Sequence, residues 1–569
     1  CKKVMKKSIF LLLLIIVLSV FLRFFYLERI PNGLYSDEAA FGYNAYSLLK
    51  TGKDEFGFSY PLVLKSFGDF KAAFYSYYLI PFVWILDLSV ISIRTGTAML
   101  GIGTVILVYL LIKELSKSNR IALISSLLLA VSPFALQFNR MVHENNLVVF
   151  LITAGTYLFI VSLRSRKLLI LSLICFAASL YTYYDAKIFI PLMLVFLIIY
   201  YRDKFLNDKK KLFINCFIFL LLILPLLNLM LSRKDVWTRP QNTVIFSDIG
   251  SVLDINQEIG DNRITSPLNP RIFHNKLIKF AEVFISNYLK HFDSDFLYFK
   301  GDYIKIYSTV NIGIMYLMEL PFFLLGFLYL AKYTKSEKYL LFFWLLMAPI
   351  AASLTKFVPS ASRTMLLVVP LAVIPSYGIY YCSILFKKFL KNTFILFTVI
   401  LFTINIAYYL HFYYFITPLR YSREWHYGMK QVIQEVQQVQ NRYDSIWFSK
   451  KAWGYIYPLF FIKYPPSSYQ PQALLSSPDE FGFGWIENFD KYLFGKIPKY
   501  FDLNKNILYV VAEGDLPFRT KPLYEINYPD GQLAFQLVDT KTLQRDCYNC
   551  SLIYKPEDED IFGNKLPAR

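Results

Sequence analysis

The chain has 569 residues, is 56% hydrophobic but only 18% charged, and carries a formal net charge of +19. A soluble domain runs nearer about 25% charged, so the long apolar runs point to a bilayer as the solvent for much of the chain. The basic residues sit in short clusters between those runs, the positive-inside pattern of a membrane protein, which sets nucleic acid aside as a partner.

Taken in order, Cys1 is followed by Lys2, Lys3, Lys6 and Lys7 and then an apolar run over 8–22. The run is long and no A-x-A-like site closes it, so it reads as a signal anchor rather than a cleaved signal. A processed or lipid-modified Cys1 is the alternative. Crossing a bilayer takes about 20 apolar residues. Runs near 8–27, 95–112, 121–138, 146–163, 168–183, 188–201, 212–231, 310–331, 338–354, 364–385 and 393–415 predict eleven spans.

With the N-terminus in the cytoplasm, alternate loops are basic. The inner ones hold Lys113, Lys117 and Arg120; Arg164, Arg166 and Lys167; Arg202, Lys204 and Lys209 to Lys211; Lys332, Lys335 and Lys338; Lys387, Lys388 and Lys391. The short outer ones hold Arg140, Lys187, and Lys356 with Arg363. A twelfth span over 73–87 would invert this alternation. That segment is therefore predicted as an interfacial helix with Tyr75, Tyr77, Tyr78 and Trp84 at headgroup depth.

Three long segments, 28–94, 232–309 and 416–569, then face outside. The expectation is a mainly α, polytopic helix bundle over 1–415 with an extracytoplasmic loop 28–94, and a small extracytoplasmic α/β domain over 416–569. In that domain 429–442 reads as an exposed helix, 444–449, 507–512 and 533–538 read as strands, and 465–478 as loop. Cys175, Cys216 and Cys382 read as small core residues. Cys547 and Cys550 form a lone C-x-x-C, with a local disulfide favoured over a metal site that would need four ligands. The acidic tail from Glu557 to Asp560 reads as solvated, and no internal repeat is present.

The polar residues of interest gather on the outer side. Asp37 and Glu38 lie in GLYSDEAAFGYNAYSLLK, where Phe41, Ala45, Leu48 and Leu49 share one face of a predicted amphipathic helix over 37–50 on the membrane surface. Ser36 is its expected N-cap, and two acids in the first turn could simply complement the helix dipole. Glu144 lies in FNRMVHENNL, flanked by His143 and Arg140; it pairs with Arg140 in the plain reading, or joins His143 at a metal. Asp185 in YTYYDAK is expected to pair with Lys187. Lys71 follows SFGDF, and Arg363 either snorkels to the headgroups or grips a phosphate bidentately. Acids and phosphate-gripping cations on one membrane face suit transfer from a lipid phosphate: a carboxylate takes the proton of an attacking hydroxyl, and cations stabilise the departing phosphate.

At these residues the chain resembles the membrane-embedded glycosyltransferases of the C-type fold, in the family 39-like group of protein O-mannosyltransferases and the lipid A aminoarabinose transferase. The likeness spans about residues 8–415 and is strongest over 31–115, where PNGLYSDEAAFGYNAYSLLKTGKDEFG, SFGDFKAAFYSYYLIPF and RTGTAMLGIGTVILVYLLIKEL follow in the family's order. The resemblance implies Asp37 as base or acceptor-orienting acid with Glu38 beside it, Glu144 as the second-loop acid, and Lys71 and Arg363 at the donor phosphate. Tyr43, Asn44, Asp69, Arg140, His143 and Asp185 are candidate supporting residues. Ala72 and Ala73 replace two family prolines, RTGTA lacks the proline before the second span, and the second-loop acid is a glutamate.

The implied function is transfer of a hexosyl or pentosyl unit from a polyprenyl-phosphate sugar to a lipid, glycan or protein acceptor outside the plasma membrane. A divalent metal, held by Glu144 and His143 if at all, is open. The alternatives are a transporter or flippase of lipid-linked glycans, for which mid-span charges are expected, and a non-catalytic glycan-binding relative.

Overall fold

The structure, a computed structural model, describes residues 2–67, 69–165, 167–205, 209–233, 238–265, 269–386, 388–452, 454–477, 484–498, 504–516 and 520–546. Cys1, the expected Cys547–Cys550 bridge and the acidic tail lie outside them. The chain divides into two compact units, one of residues 1–25 and 97–413, the other of 26–96 and 414–569.

The first unit is helical. Among the described residues of the chain, six helices are long and apolar enough to cross a bilayer: Lys6–Phe24, Val90–Ser116, Asn145–Ser162, Phe213–Ser232, Met365–Leu385 and Phe389–Arg420. A seventh span results if Asn119–Val131 and Pro133–Asn139, bent by 55°, count as one. The bend falls at Ser132, which caps the second helix and precedes a proline that has no N–H to continue the first. Four further predicted spans hold shorter helices, Leu168–Leu180, Ala186–Tyr200, Glu319–Tyr333 and Glu337–Met347. At 1.5 Å per residue they reach about 17–23 Å, short of a hydrocarbon core of about 30 Å. The predicted span 310–331 becomes helical only at Glu319, because 310–318 is used as loop: the Met315 N–H donates to the Leu297 carbonyl at 2.7 Å.

Cover by protein differs sharply between these helices. Met365–Leu385 is 83% buried, whereas Phe213–Ser232 is 6% buried. An apolar helix with almost no protein over it takes lipid as its solvent. At the centre, Glu319–Tyr333 and Val368–Leu385 cross closely. A Cβ on Gly326 would collide with the Ile374 carbonyl, and one on Gly378 with that of Phe322, the small-residue contact that lets helix backbones approach in a membrane.

The second unit begins with the helix Ser36–Thr51. It starts one residue before the predicted 37, and Tyr35 rather than Ser36 is the N-cap residue. It ends where Gly52 adopts φ +67° and its N–H caps the Leu48 carbonyl. Ten of its sixteen residues are buried, so it is packed within protein and does not lie half-exposed on a surface as its apolar face suggested.

A hairpin follows, β1 (Val63–Ser66) and β2 (Asp69–Ala72), with Lys71 opposite Leu64. The helix Phe74–Leu86 has 13 residues, about 20 Å, too short to span. Trp84 is 72% exposed as an interfacial ring would be, but Tyr75 is fully buried edge-on against Phe41 at 5.5 Å. Tyr75 is thus covered by protein, unlike Trp84.

The remainder of this unit is a six-stranded sheet in the order β4 (Asn488–Phe489), β5 (Tyr492–Gly495), β3 (Ser445–Ser449), β6 (Ile507–Ala512), β8 (Leu533–Asp539), β7 (Tyr524–Asn527). β3 runs parallel to β5 and β6, and the other pairs are antiparallel. Three of these strands match the predicted runs; β4, β5 and β7 are short and were not foreseen. On one face Trp447, Tyr509, Val511, Val538 and Leu543 form a core. The predicted exposed helix over 429–442 is helical over Met429–Val439, and it buries Met429, Val432, Ile433, Val436 and Val439 at the i, i+3, i+4 spacing of an amphipathic helix. Residues 26–96, placed by the sequence reading inside the membrane domain, share this unit because Ser36–Thr51 packs on Ile456–Ile462 and the Tyr43 hydroxyl donates to the Tyr464 carbonyl at 2.9 Å.

Candidate functional site

In the second unit, β2 carries Lys71 to the first turn of the Ser36–Thr51 helix. Its Nζ donates to Asp37 Oδ1 at 2.5 Å. The lysine side chain is 7% exposed and the aspartate 37%. The ammonium lies between the rings of Phe41 and Phe67, 5.5 and 5.3 Å from their centroids, which hold it and keep water away. A lysine has three donors, and Asp37 is its only hydrogen-bond acceptor among the described residues. Its other two donors have no acceptor among the described residues. Asp69 opens the same strand, but its side chain lies outside the described part.

Glu38, one residue on, is fully buried. Arg94 donates to it twice, Nε to Oε1 at 3.1 Å and Nη2 to Oε2 at 2.9 Å. Oε2 also accepts the Tyr35 N–H at 3.1 Å, the N3 half of a capping box. The same guanidinium donates to the carbonyls of Pro31 at 2.9 Å and Gly33 at 2.5 Å. Glu38 and Arg94 thus fix the turn that aims Asp37. Arg94 opens the RTGTA motif; a charge at the start of an apolar run was the available signal for it.

Tyr43 and Asn44 are structural partners about a turn and a half further along. Asn44 Nδ2 donates to Glu55 Oε1 at 3.1 Å and its Oδ1 accepts the Glu55 N–H at 3.0 Å. The Tyr455 hydroxyl donates to Glu55 Oε2 at 3.2 Å. Burial pushes the Glu55 carboxyl up to about 8, only partly offset by Asn44. Glu55 was not singled out from the sequence, though it lies in the KDEFG run. Nearby, burial also lowers His426 to about 3; its ring is hydrogen-bonded to the Tyr457 hydroxyl.

In the first unit the second-loop residues are all buried. Arg140 donates to the carbonyls of Leu22, Arg23 and Phe25 at 2.7, 3.0 and 2.7 Å and to the Tyr413 hydroxyl at 3.2 Å. It ties down the end of the first helix. His143 Nδ1 lies 3.7 Å from Glu144 Oε2 but accepts the Asn145 N–H at 3.2 Å. A ring nitrogen that accepts carries no proton, so this approach is not an ion pair. The expected Asp185–Lys187 pair does not form. Lys187 stacks on the Tyr184 ring at 4.4 Å, while both Asp185 oxygens are buried with no hydrogen-bond partner among the described residues. Burial raises this carboxyl to about 8, and the Glu144 charge adds to the effect.

Arg363 donates to Thr355 Oγ1 at 2.7 Å and the Phe357 carbonyl at 3.3 Å, within a loop held by two residues that sequence reasoning missed. Asp302 accepts the Ala361 N–H at 2.6 Å. His291 Nε2 accepts the Ser360 N–H at 3.3 Å while Nδ1 faces the Asn287 carbonyl at 2.8 Å. That arrangement requires a neutral ring with its proton on Nδ1, and burial lowers His291 to about 4 accordingly. Neither residue lies in a recognisable motif; both come from the long 232–309 segment.

Among the described residues no three His, Cys, Asp or Glu cluster where they could hold a metal. His143 and Glu144 alone fall short of a four-ligand or six-oxygen set, and His143 Nδ1 is already occupied.

The helical unit, the helix bearing Asp37 and the mixed sheet define a multi-pass membrane protein with the C-type glycosyltransferase fold. A family profile described as dolichyl-phosphate-mannose-protein mannosyltransferase matches residues 71–228. The crystal structure of ArnT from Cupriavidus metallidurans bound to undecaprenyl phosphate is similar at TM-score 0.55 and 11% identity, with 93% of this chain and 97% of that one covered. The apo form of the same protein gives 0.52, at 11% identity and the same coverage. The Archaeoglobus fulgidus oligosaccharyltransferase tethered to an acceptor peptide gives 0.48 at 12% identity, covering 93% of this chain and 74% of that one. No curated protein matches by sequence.

Proposed function

We propose that this chain transfers a sugar from a polyprenyl-phosphate donor to a hydroxyl of a lipid, glycan or protein acceptor at the extracytoplasmic face of the cell membrane. The observation that carries the reading is the Asp37–Lys71 pair, a half-open carboxylate against an enclosed ammonium with two further donors. Asp37 accepts the acceptor hydroxyl's proton as that oxygen attacks the anomeric carbon. The bond from that carbon to the phosphate oxygen breaks, and polyprenyl phosphate leaves with the electron pair.

Lys71 offers its remaining donors to the phosphate, which loosens its hold on Asp37 and makes the carboxylate a better base. Arg363 is assigned to phosphate by its planar fork, and Glu144 is assigned a second acidic role. Glu38, Tyr43, Asn44 and Arg140 are positioning residues. Undecaprenyl phosphate in the ArnT structure supports a lipid-phosphate donor. The basic inner loops support a cytoplasmic N-terminus, with residues 416–569 as an extracytoplasmic domain.

The test is to incubate the purified chain in lipid with a panel of polyprenyl-phosphate sugars and to measure released polyprenyl phosphate. Asp37→Asn and Glu144→Gln are run alongside. Turnover with no donor, or full turnover in Asp37→Asn, overturns the reading.

A further inference from the structure

The sheet of the second unit ends in a crevice remote in sequence from Asp37. The carboxyl ends of the parallel strands β5, β3 and β6 lie side by side, and open α/β sheets bind ligands outside such ends. Each strand there runs directly into charge: β3 into Lys450 and Lys451, β5 into Lys496, β6 into Glu513 and Asp515. The cavity these residues line has a volume of about 680 Å³.

The crevice is built rather than incidental. Lys451 Nζ is fixed by Asp515 Oδ1 at 3.2 Å and by the Glu513 carbonyl at 3.0 Å. Asp515 Oδ2 in turn accepts the Ala512 N–H at 2.7 Å, and Gly514 makes the turn between the two acids at φ +74°. Across the cavity the Arg423 guanidinium lies 4.6 Å from the Tyr528 ring centroid and is hydrogen-bonded to Gln532. Lys450 lies 5.0 Å from the Trp485 ring centroid, and Lys496 is exposed. Four cations thus face two carboxylates, with aromatic faces at the rim.

We infer that this crevice binds an anionic saccharide. With Lys451 paired to Asp515 and Arg423 3.9 Å from Glu513, the exposed Lys450 and Lys496 are left to meet carboxylate or phosphate substituents, the two carboxylates accept sugar hydroxyls, and the aromatic faces take the apolar faces of the rings. The concave shape and the two acids count against a flat anionic lipid surface, which Glu513 and Asp515 would repel. This site is independent of the transferase reading and is tested without turnover.

The full chain in zwitterionic nanodiscs is titrated with labelled tetragalacturonate, glucose 1-phosphate and neutral maltotetraose. Binding of at least one anionic probe is expected, about tenfold or more tighter than maltotetraose, and weakening severalfold between about 50 and 300 mM salt because the groups lie at an open mouth. Lys450→Gln with Lys496→Gln should lower that affinity about tenfold at unchanged melting temperature. Lys450→Arg with Lys496→Arg should retain it. Failure of both anionic probes to bind, equal binding of maltotetraose, an unaffected double glutamine variant, or displacement by phosphatidylglycerol vesicles but not by unlabelled tetragalacturonate would each overturn the proposal.

Discussion

Lys71 Nζ donates to Asp37 Oδ1 at 2.5 Å, and the lysine is the enclosed partner while the carboxylate is half open. The pair thus presents its acid outward and keeps its cation where a second anion must come to it. Asp37→Asn should lower turnover by about 10²–10⁴-fold, the range of a lost general base, with the melting temperature held. Lys71→Met should also depress turnover, and most at low donor concentration. Initial rates against donor concentration, beside thermal melts, separate these outcomes from misfolding.

Glu38 is expected to behave differently from its neighbour. It is buried against Arg94, and removing one member of a buried charge pair costs about 3–5 kcal/mol. Glu38→Gln and Arg94→Met should each lower the melting temperature sharply, whereas Asp37→Asn should not. Equal melts for Glu38→Gln and wild type would refute the anchoring role.

Glu55 gives the second unit a dependence on pH. Its folded value of about 8 lies above the ordinary glutamate range, so the folded state holds a proton that the unfolded chain has released. Stability is full below about pH 4.5 and is lost progressively as pH rises to about 8, at up to about 1.4 kcal/mol per unit. Melting temperatures of wild type and Glu55→Gln between pH 5 and 9 should diverge, the wild type falling more steeply toward alkaline pH.

The Arg363 loop offers a test of placement. Asp302→Ala strands the Ala361 N–H and His291→Ala strands that of Ser360, each a loss of about 1–3 kcal/mol. Both should raise the donor KM more than they lower kcat, as should Arg363→Ala, which alone should leave the melting temperature in place.

What the sequence made legible follows from what each signal depends on. Long apolar runs marked helices at all eleven predicted span positions, because composition alone carries that signal. Their lengths were less readable: nothing in residues 310–318 says that this apolar stretch is drawn into loop pairing with Leu297. Motif order singles out Asp37, Lys71, Glu144 and Arg363 as candidates. It does not single out Arg94, Glu55, Asp302 and His291, since each acts on a partner distant in sequence, at separations of 56, 400, 59 and 69 residues. Burial hid two roles in the opposite direction. Arg140 and Glu38 look like reactive charges in the sequence, yet one is tied to backbone carbonyls and the other to a guanidinium. The short strands β4, β5 and β7 lack an apolar run long enough to announce them.

The second unit is assembled from two pieces of chain that leave the ribosome far apart in time. The helix bearing Asp37 is made early, but Tyr464, which receives its Tyr43 hydroxyl, and Tyr455, which closes over Glu55, lie about 400 residues later. At a synthesis rate of about 5–20 residues per second the early piece waits roughly 20–80 s for its counterpart. During that interval a carboxyl, an asparagine and several aromatic rings destined for the interior stand uncovered. A nascent chain stalled before residue 414 would present that surface indefinitely, making the early segment a natural mark for surveillance proteases and a place where holding chaperones are needed during biogenesis.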